Sequence, residues 1–168
     1  MKIEEINSAD LMSFTASLGH LFEHSPWVAE ETWGRRPFRD AGHLHAELCA
    51  TMRGAGEERQ MALIRAHPDL AGRLAQQNQL TAESKKEQAS AGLNRMSAEE
   101  LARFQALNAA YREKFGFPFI ICARLNAREA IFRAMQERMG NSADQERAAA
   151  LAEIEKIAWL RLEDVVET

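Results

Sequence analysis

The sequence predicts an all-α fold: a single compact domain of about eight helices spanning residues 1–168. Three observations carry this. Apolar residues recur at three- and four-residue spacing along most of the chain. Glycine and proline are few, nine and four respectively, and stand as punctuation between periodic segments. No stretch has the sustained alternation or hairpin turns of strands.

The elements follow in order. Ser8 is placed as N-cap of a first helix with Leu11, Phe14, Leu18 and Phe22 on one face. Ser25-Pro26-Trp27 opens a short second helix with proline at its first position, and Arg36-Pro37-Phe38 breaks it. Asp40 caps a third helix to Gly54 carrying Leu44, Leu48 and Met52. After a Gly54-Ala55-Gly56 turn, residues 57–66 form a fourth with Met61 and Ile64 inward, and Pro68 stops it. A short helix is expected over residues 68–76, a polar loop over 77–79, and a poorly hydrophobic helix over 81–92. Ser97-Ala98-Glu99-Glu100 has capping-box form and starts a long helix to Phe115, closed by Gly116. Residues 117–123 are an apolar connector. Asn126 caps a helix to Met139, and the last helix runs from Asp144 to about Val166.

Composition narrows the function. With 46% hydrophobic residues the chain can fill one core. A net charge of −4, a pI near 5.8 and dispersed Lys and Arg argue against nucleic acid as partner. The longest apolar run, residues 117–123, is too short to span a membrane. The start, Met1-Lys2-Ile3-Glu4-Glu5, lacks the layout of a secretion signal, so a cytoplasmic location is expected. Cys49 and Cys122 lack C-x-x-C spacing and are expected as two buried, reduced thiols. His20 and His24 stand at i and i+4 without a third ligand of suitable spacing, and His43 and His45 are two apart. No metal site is therefore expected, and a metal hydrolase using His20, His24 and one of the other histidines is a third reading.

Three constellations carry possible chemistry. The first is His67-Pro68-Asp69: a histidine at a helix break with a rigid residue behind it suits general acid–base work, and would sit at an N-cap if Pro68 were helical. The second is Ser84-Lys85-Lys86-Glu87-Gln88. On a helix, Ser84, Glu87 and Gln88 share one face and offer a hydroxyl, a carboxylate and an amide to a ligand rich in N–H and C=O groups, such as a ureide. The third is the connector, where Phe119, Ile120, Ile121, Cys122 and Ala123 follow Pro118; interrupted helical bonding leaves backbone groups for a polar heterocycle walled by apolar side chains. Each also has a plain reading, as a capping histidine, a solvated helix face and a buried linker. Arg161 starts on the apolar stripe of the last helix and needs a partner there: Glu87, helix-end carbonyls or a carboxylate ligand.

The order of these motifs is more specific than any one of them. Ser25-Pro26-Trp27, Arg36-Pro37-Phe38, His67-Pro68-Asp69-Leu70-Ala71-Gly72, Ser84-x-x-Glu87-Gln88, Ala91-Gly92-Leu93 and Asn108-x-x-Tyr111-x-x-x-Phe115-Gly116-Phe117-Pro118-Phe119 recur in sequence along nearly the whole chain. The chain thereby resembles the OHCU decarboxylase family, OHCU being 2-oxo-4-hydroxy-4-carboxy-5-ureidoimidazoline, an intermediate of urate breakdown. The resemblance implies an all-helical, homodimeric, cofactor-free carboxy-lyase converting OHCU to (S)-allantoin, a product that forms as a racemate without catalyst. It also implies that His67 is the catalytic proton donor, with substrate contacts at Pro68, at Ser84, Lys85, Lys86, Glu87 and Gln88, and from Phe119 to Ala123. The alternative from another class is a non-catalytic helical interaction protein, such as a regulatory dimer. It requires a solvated Ser84–Gln88 face.

Overall fold

The structure is a computed structural model that describes residues 1–72 and 78–167. Among these residues there are nine α-helices and no strand. They are α1 (Ile3–Ser8), α2 (Leu11–Leu18), α3 (Trp27–Thr32), α4 (Ala41–Gly54), α5 (Glu57–Ala66), α6 (Ala82–Ser90), α7 (Ala98–Phe115), α8 (Arg128–Arg138) and α9 (Ala143–Glu163). Two compact units divide the chain: Met1–Ala66 with Glu155–Thr168, and His67–Ile154.

In the first unit, α2 packs on α3 and α3 on α4. Phe14, Leu18, Val28, Leu44, Leu48 and Met52 are its buried centre. Burying each such side chain contributes about 1.5–3 kcal/mol. The Asp40 carboxylate accepts from the His43 amide at 2.7 Å and starts α4 as expected. Arg36 donates to the carbonyls of Asn7 and Ala9 at 2.9 and 2.8 Å and lies over the Trp33 ring, tying the chain start to the break after α3.

The start of the chain differs from expectation. Ser8 ends a short extra helix, and its hydroxyl donates backwards to the Glu5 carbonyl at 3.0 Å. The N-cap of α2 is Asp10, which accepts from the Ser13 amide. Leu11 is thereby the first residue of α2 and is 44% exposed, while Phe14 and Leu18 stay buried. Phe22 is reached through a 3₁₀ turn, Gly19–Leu21, and His24 has φ +47°, so His20 and His24 share no helix face. In α5, Leu63 joins Ile64 inside and Met61 is half-buried. Cys49, expected inside, is also half-buried.

The second unit begins at His67. Ser97 caps α7 through the Glu100 amide at 3.1 Å, and Gly116 closes it in the left-handed region, both as expected. Helix α7 packs on α8, and α6 packs on a 3₁₀ turn, Ala123–Leu125. Tyr111, Phe115, Phe117 and Phe119 form an aromatic cluster, with Tyr111 edge-on to Phe119 at 5.3 Å between centroids. Two boundaries shift. The helix expected from Pro68 is absent over residues 68–72, which are irregular and turn, and the rest of that span lies outside the described residues. Asn126 does not cap α8, whose N-cap is Ala127; its amide donates instead to the Cys122 carbonyl at 2.9 Å.

Candidate active site

His67 follows the last residue of α5, is 7% exposed and leads into a turn fixed from three sides. Because Pro68 is not helical, His67 is not an N-cap. The Gly72 amide donates to the Asp69 carbonyl at 3.2 Å. Ala71 sits at φ +49°, an unfavourable conformation for a residue with a side chain, and its amide donates to Gln88 Oε1 at 2.8 Å. The Asn108 amide donates to the Leu70 carbonyl at 2.7 Å, and Arg112 Nη2 pairs with Asp69 Oδ1 at 3.0 Å. Position 72 admits only glycine, since a Cβ there would lie 2.6 Å from Asp69 Cβ.

Helix α6 supplies the second group. Thr81 caps it by accepting from the Ser84 amide at 3.3 Å. Ser84, Glu87 and Gln88 are 5%, 8% and 6% exposed, which is incompatible with the solvated face that the interaction-protein alternative requires. Lys85 and Lys86 point outward. A cleft of about 290 Å³ opens beside Lys85 and Gln88, lined also by Asn78, Leu80, Leu93 and Asn94.

The connector is the third. Phe117, Phe119, Ile120, Ile121, Cys122 and Ala123 are all buried, in extended or irregular backbone as far as the turn that starts at Ala123. Arg138 lies over the Phe119 ring at 4.2 Å and donates to the Ile120 carbonyl at 2.7 Å. The Cys122 amide donates to Glu153 Oε2 at 2.8 Å. Among the described residues, the amides of Ile120 and Ile121 meet no acceptor. Burial, then the nearby carboxylate of Glu153, pushes the Cys122 thiol up, with Glu87 adding in the same direction, so the thiol is neutral.

The second unit therefore brings the three groups together. Gln88 joins α6 to the His67 turn, and α6 packs on the turn that ends the connector, with Glu87 close enough for Cys122 to feel its charge. Arg161 lies in the other unit. There Nη2 pairs with Glu23 Oε2 at 2.9 Å, and Nη1 approaches the carbonyls of His20 and Leu21 at 3.2 and 3.5 Å.

Sequence reasoning missed the residues behind the site. Glu146, fully buried, accepts from Tyr111 Oη at 2.5 Å, Arg138 Nε at 2.8 Å and Asn141 Nδ2 at 2.9 Å. Burial, then the bond to Glu146, pushes the Tyr111 hydroxyl well above its ordinary range. The signal was available: Glu146 extends the Ala150–Ile154–Ala158 stripe of α9 back by one turn, and Arg138 extends Ile131–Met135 forward along α8.

Fold and site define a small all-helical protein with a buried histidine at a helix end, in a turn bonded to a helix whose buried face offers a hydroxyl, a carboxylate and an amide, residue types that serve acid–base chemistry. The chain belongs to the OHCU decarboxylase family, whose model matches residues 7–163. It is 42% identical over 170 residues to the 2-oxo-4-hydroxy-4-carboxy-5-ureidoimidazoline decarboxylase of Amia calva, covering 99% of this chain and 95% of that protein. It is 41% identical to the protein of the same name from Halalkalicoccus jeotgali, covering 98% and 92%. Among solved structures, a crystal structure of (S)-allantoin synthase matches with a TM-score of 0.79 at 28% identity. That match covers 100% of this chain and 54% of the solved one, so the chain spans about half the length of that protein.

Proposed function

We propose that this chain decarboxylates OHCU to (S)-allantoin in urate degradation, with His67 delivering a proton to one face of the ring. One observation carries the reading: in a chain of this family, the His67 turn, the buried Ser84–Glu87–Gln88 face and the connector are joined within one unit.

The chemistry assigns three tasks. Breaking the C–CO₂ bond leaves an electron pair, which the substrate's own conjugated ring accepts. First, the substrate carboxylate must stand out of the ring plane so that the breaking bond overlaps the π system. Ser84, Glu87 and the Phe119 wall suit that grip, with Pro68 stiffening the chain behind the histidine. Gln88 contributes mainly by holding the Ala71 amide. Second, charge developing on the ring oxygen needs donors. Ile120 and Ile121 offer amides that no acceptor among the described residues engages, while the Cys122 amide is engaged by Glu153. Third, His67 protonates one face as CO₂ leaves. A positioned acid contributes about 10²–10⁴-fold in rate. Lys85 and Lys86, being exposed, contribute through the backbone of α6. Arg161 is assigned to Glu23.

The test is circular dichroism of the product, with OHCU generated in situ from urate by urate oxidase and hydroxyisourate hydrolase. Added protein accelerates the appearance of optically active allantoin. An optical signal no faster than in buffer refutes the reading. Undiminished turnover after chelation and dialysis is the outcome expected of a cofactor-free enzyme. We also propose, from the family, a cytoplasmic homodimer, which sedimentation velocity would report as twice 18.9 kDa.

A further inference from the structure

We infer that Arg138 and Glu153 are a pair of positioning residues that turn Ile121 into a paired donor and acceptor edge for a cyclic ureide. The inference rests on the proposed function and gives a role in it to two residues that lie outside the sequence motifs.

The physical basis is the planar trans peptide, in which C=O and N–H point in opposite directions. The only cis peptide among the described residues is Arg36-Pro37, so both planes flanking Ile121 are trans. Arg138 grips the Ile120 carbonyl at 2.7 Å. The other polar group of that plane is the Ile121 amide, which must point away from Arg138. Glu153 grips the Cys122 amide at 2.8 Å. The other group of that plane is the Ile121 carbonyl, which must point away from Glu153. Among the described residues, neither the Ile121 amide nor its carbonyl has a protein partner.

The Arg138 grip and the backbone beyond Cys122 are themselves held. Arg138 is braced by Glu146, which also binds Tyr111 and Asn141, and by the face of the Phe119 ring. The Asn126 amide fixes the Cys122 carbonyl at 2.9 Å, so the next plane cannot rotate either. Buried backbone groups without partners are rare in folded proteins. Here one residue keeps two of them, each aimed by a charged side chain gripping the far end of its peptide. A ring that carries N–H beside C=O, as hydantoins do, satisfies both at once.

The tests use the full chain. Arg138→Lys keeps a cation beside Glu146, but one ammonium cannot also span to the Ile120 carbonyl. It stays folded, while kcat falls about tenfold or more, part of the 10²–10³-fold that losing a whole oxyanion donor costs. KM changes less, and the optical purity of the allantoin drops. Glu153→Ala behaves alike, and Glu153→Gln, which still accepts from the Cys122 amide, recovers most of the loss. In protein labelled with ¹⁵N-isoleucine, the Ile121 amide resonance shifts on adding (S)-allantoin. Folded Arg138→Lys and Glu153→Ala with wild-type kcat and optical purity would overturn the inference. So would a Glu153→Gln variant as impaired as Glu153→Ala, or an Ile121 amide unmoved by allantoin. Should the wild-type chain fail to accelerate allantoin formation, the proposed function falls, and the Ile121 titration still decides on the two grips.

Discussion

Two arginines, each paired with a buried carboxylate, make opposite use of the same chemistry. Arg161 pairs with Glu23 and leans on the carbonyls of His20 and Leu21, all beside one tight turn. Arg138 pairs with Glu146 and grips the Ile120 carbonyl. The arginines are 3% and 14% exposed at the side chain, and the carboxylates 2% and 0%. What separates them is the backbone they hold. Arg161 closes a turn, whereas Arg138 holds one side of a peptide whose other side has no partner among the described residues. A buried ion pair is weak evidence of stabilisation taken alone. Its role is read from what lies across the peptide from the atom it grips.

That contrast can be broken at several strengths. The largest effect belongs to His67→Asn, for which kcat falls about 10²–10⁴-fold while the far-UV spectrum is unchanged. Full activity in the folded variant would remove the acid from its assigned place. Next is Arg161→Met, which leaves Glu23 buried without its cation and lowers unfolding stability by about 3–5 kcal/mol in urea titrations. The double variant Arg161→Met/Glu23→Leu regains most of that stability and keeps the KM of wild type. Regained stability with a raised KM would return Arg161 to the ligand. Smaller still is Asn108→Leu, which strips the Leu70 carbonyl of its donor. It costs about 1–3 kcal/mol and lowers activity as well, because the His67 turn loosens.

The mildest effect concerns Cys49. Burial, then the charge of Glu155, pushes its thiol up to about 12 from an ordinary 9.0. The folded thiol therefore stays neutral at pH 8.5, and iodoacetamide labels it more slowly than in denatured protein. The sign for stability follows from the same shift. Between pH 9 and 12 the unfolded thiol ionises and the folded one does not, so native stability declines as pH rises through that range.

Much of the fold was legible because capping is local chemistry. Asp40, Ser97 and Gly116 announce helix ends within four residues, and each does so here. Ser8 misled because an equally good cap, Asp10, stands two residues on. At Pro68, proline signals both the end of one helix and the first turn of another, and only tertiary bonds from Gln88, Asn108 and Arg112 decide. The candidate site was legible in its motifs and illegible in its supports. Arg138, Glu146 and Glu153 are long charged side chains on helices, a type that mostly faces water. Their partners lie 5–35 residues away in sequence, where no local pattern connects them.

Gly72 carries a last consequence. Replacing glycine with alanine at an ordinary backbone angle commonly stiffens the unfolded chain and gains stability. At position 72 the added methyl would strike Asp69 and push it off Arg112. Anyone engineering this enzyme for heat tolerance would therefore find the usual glycine swap closed at the one turn that carries the histidine. The want of room for a single methyl group keeps that part of the molecule from being hardened without being reshaped.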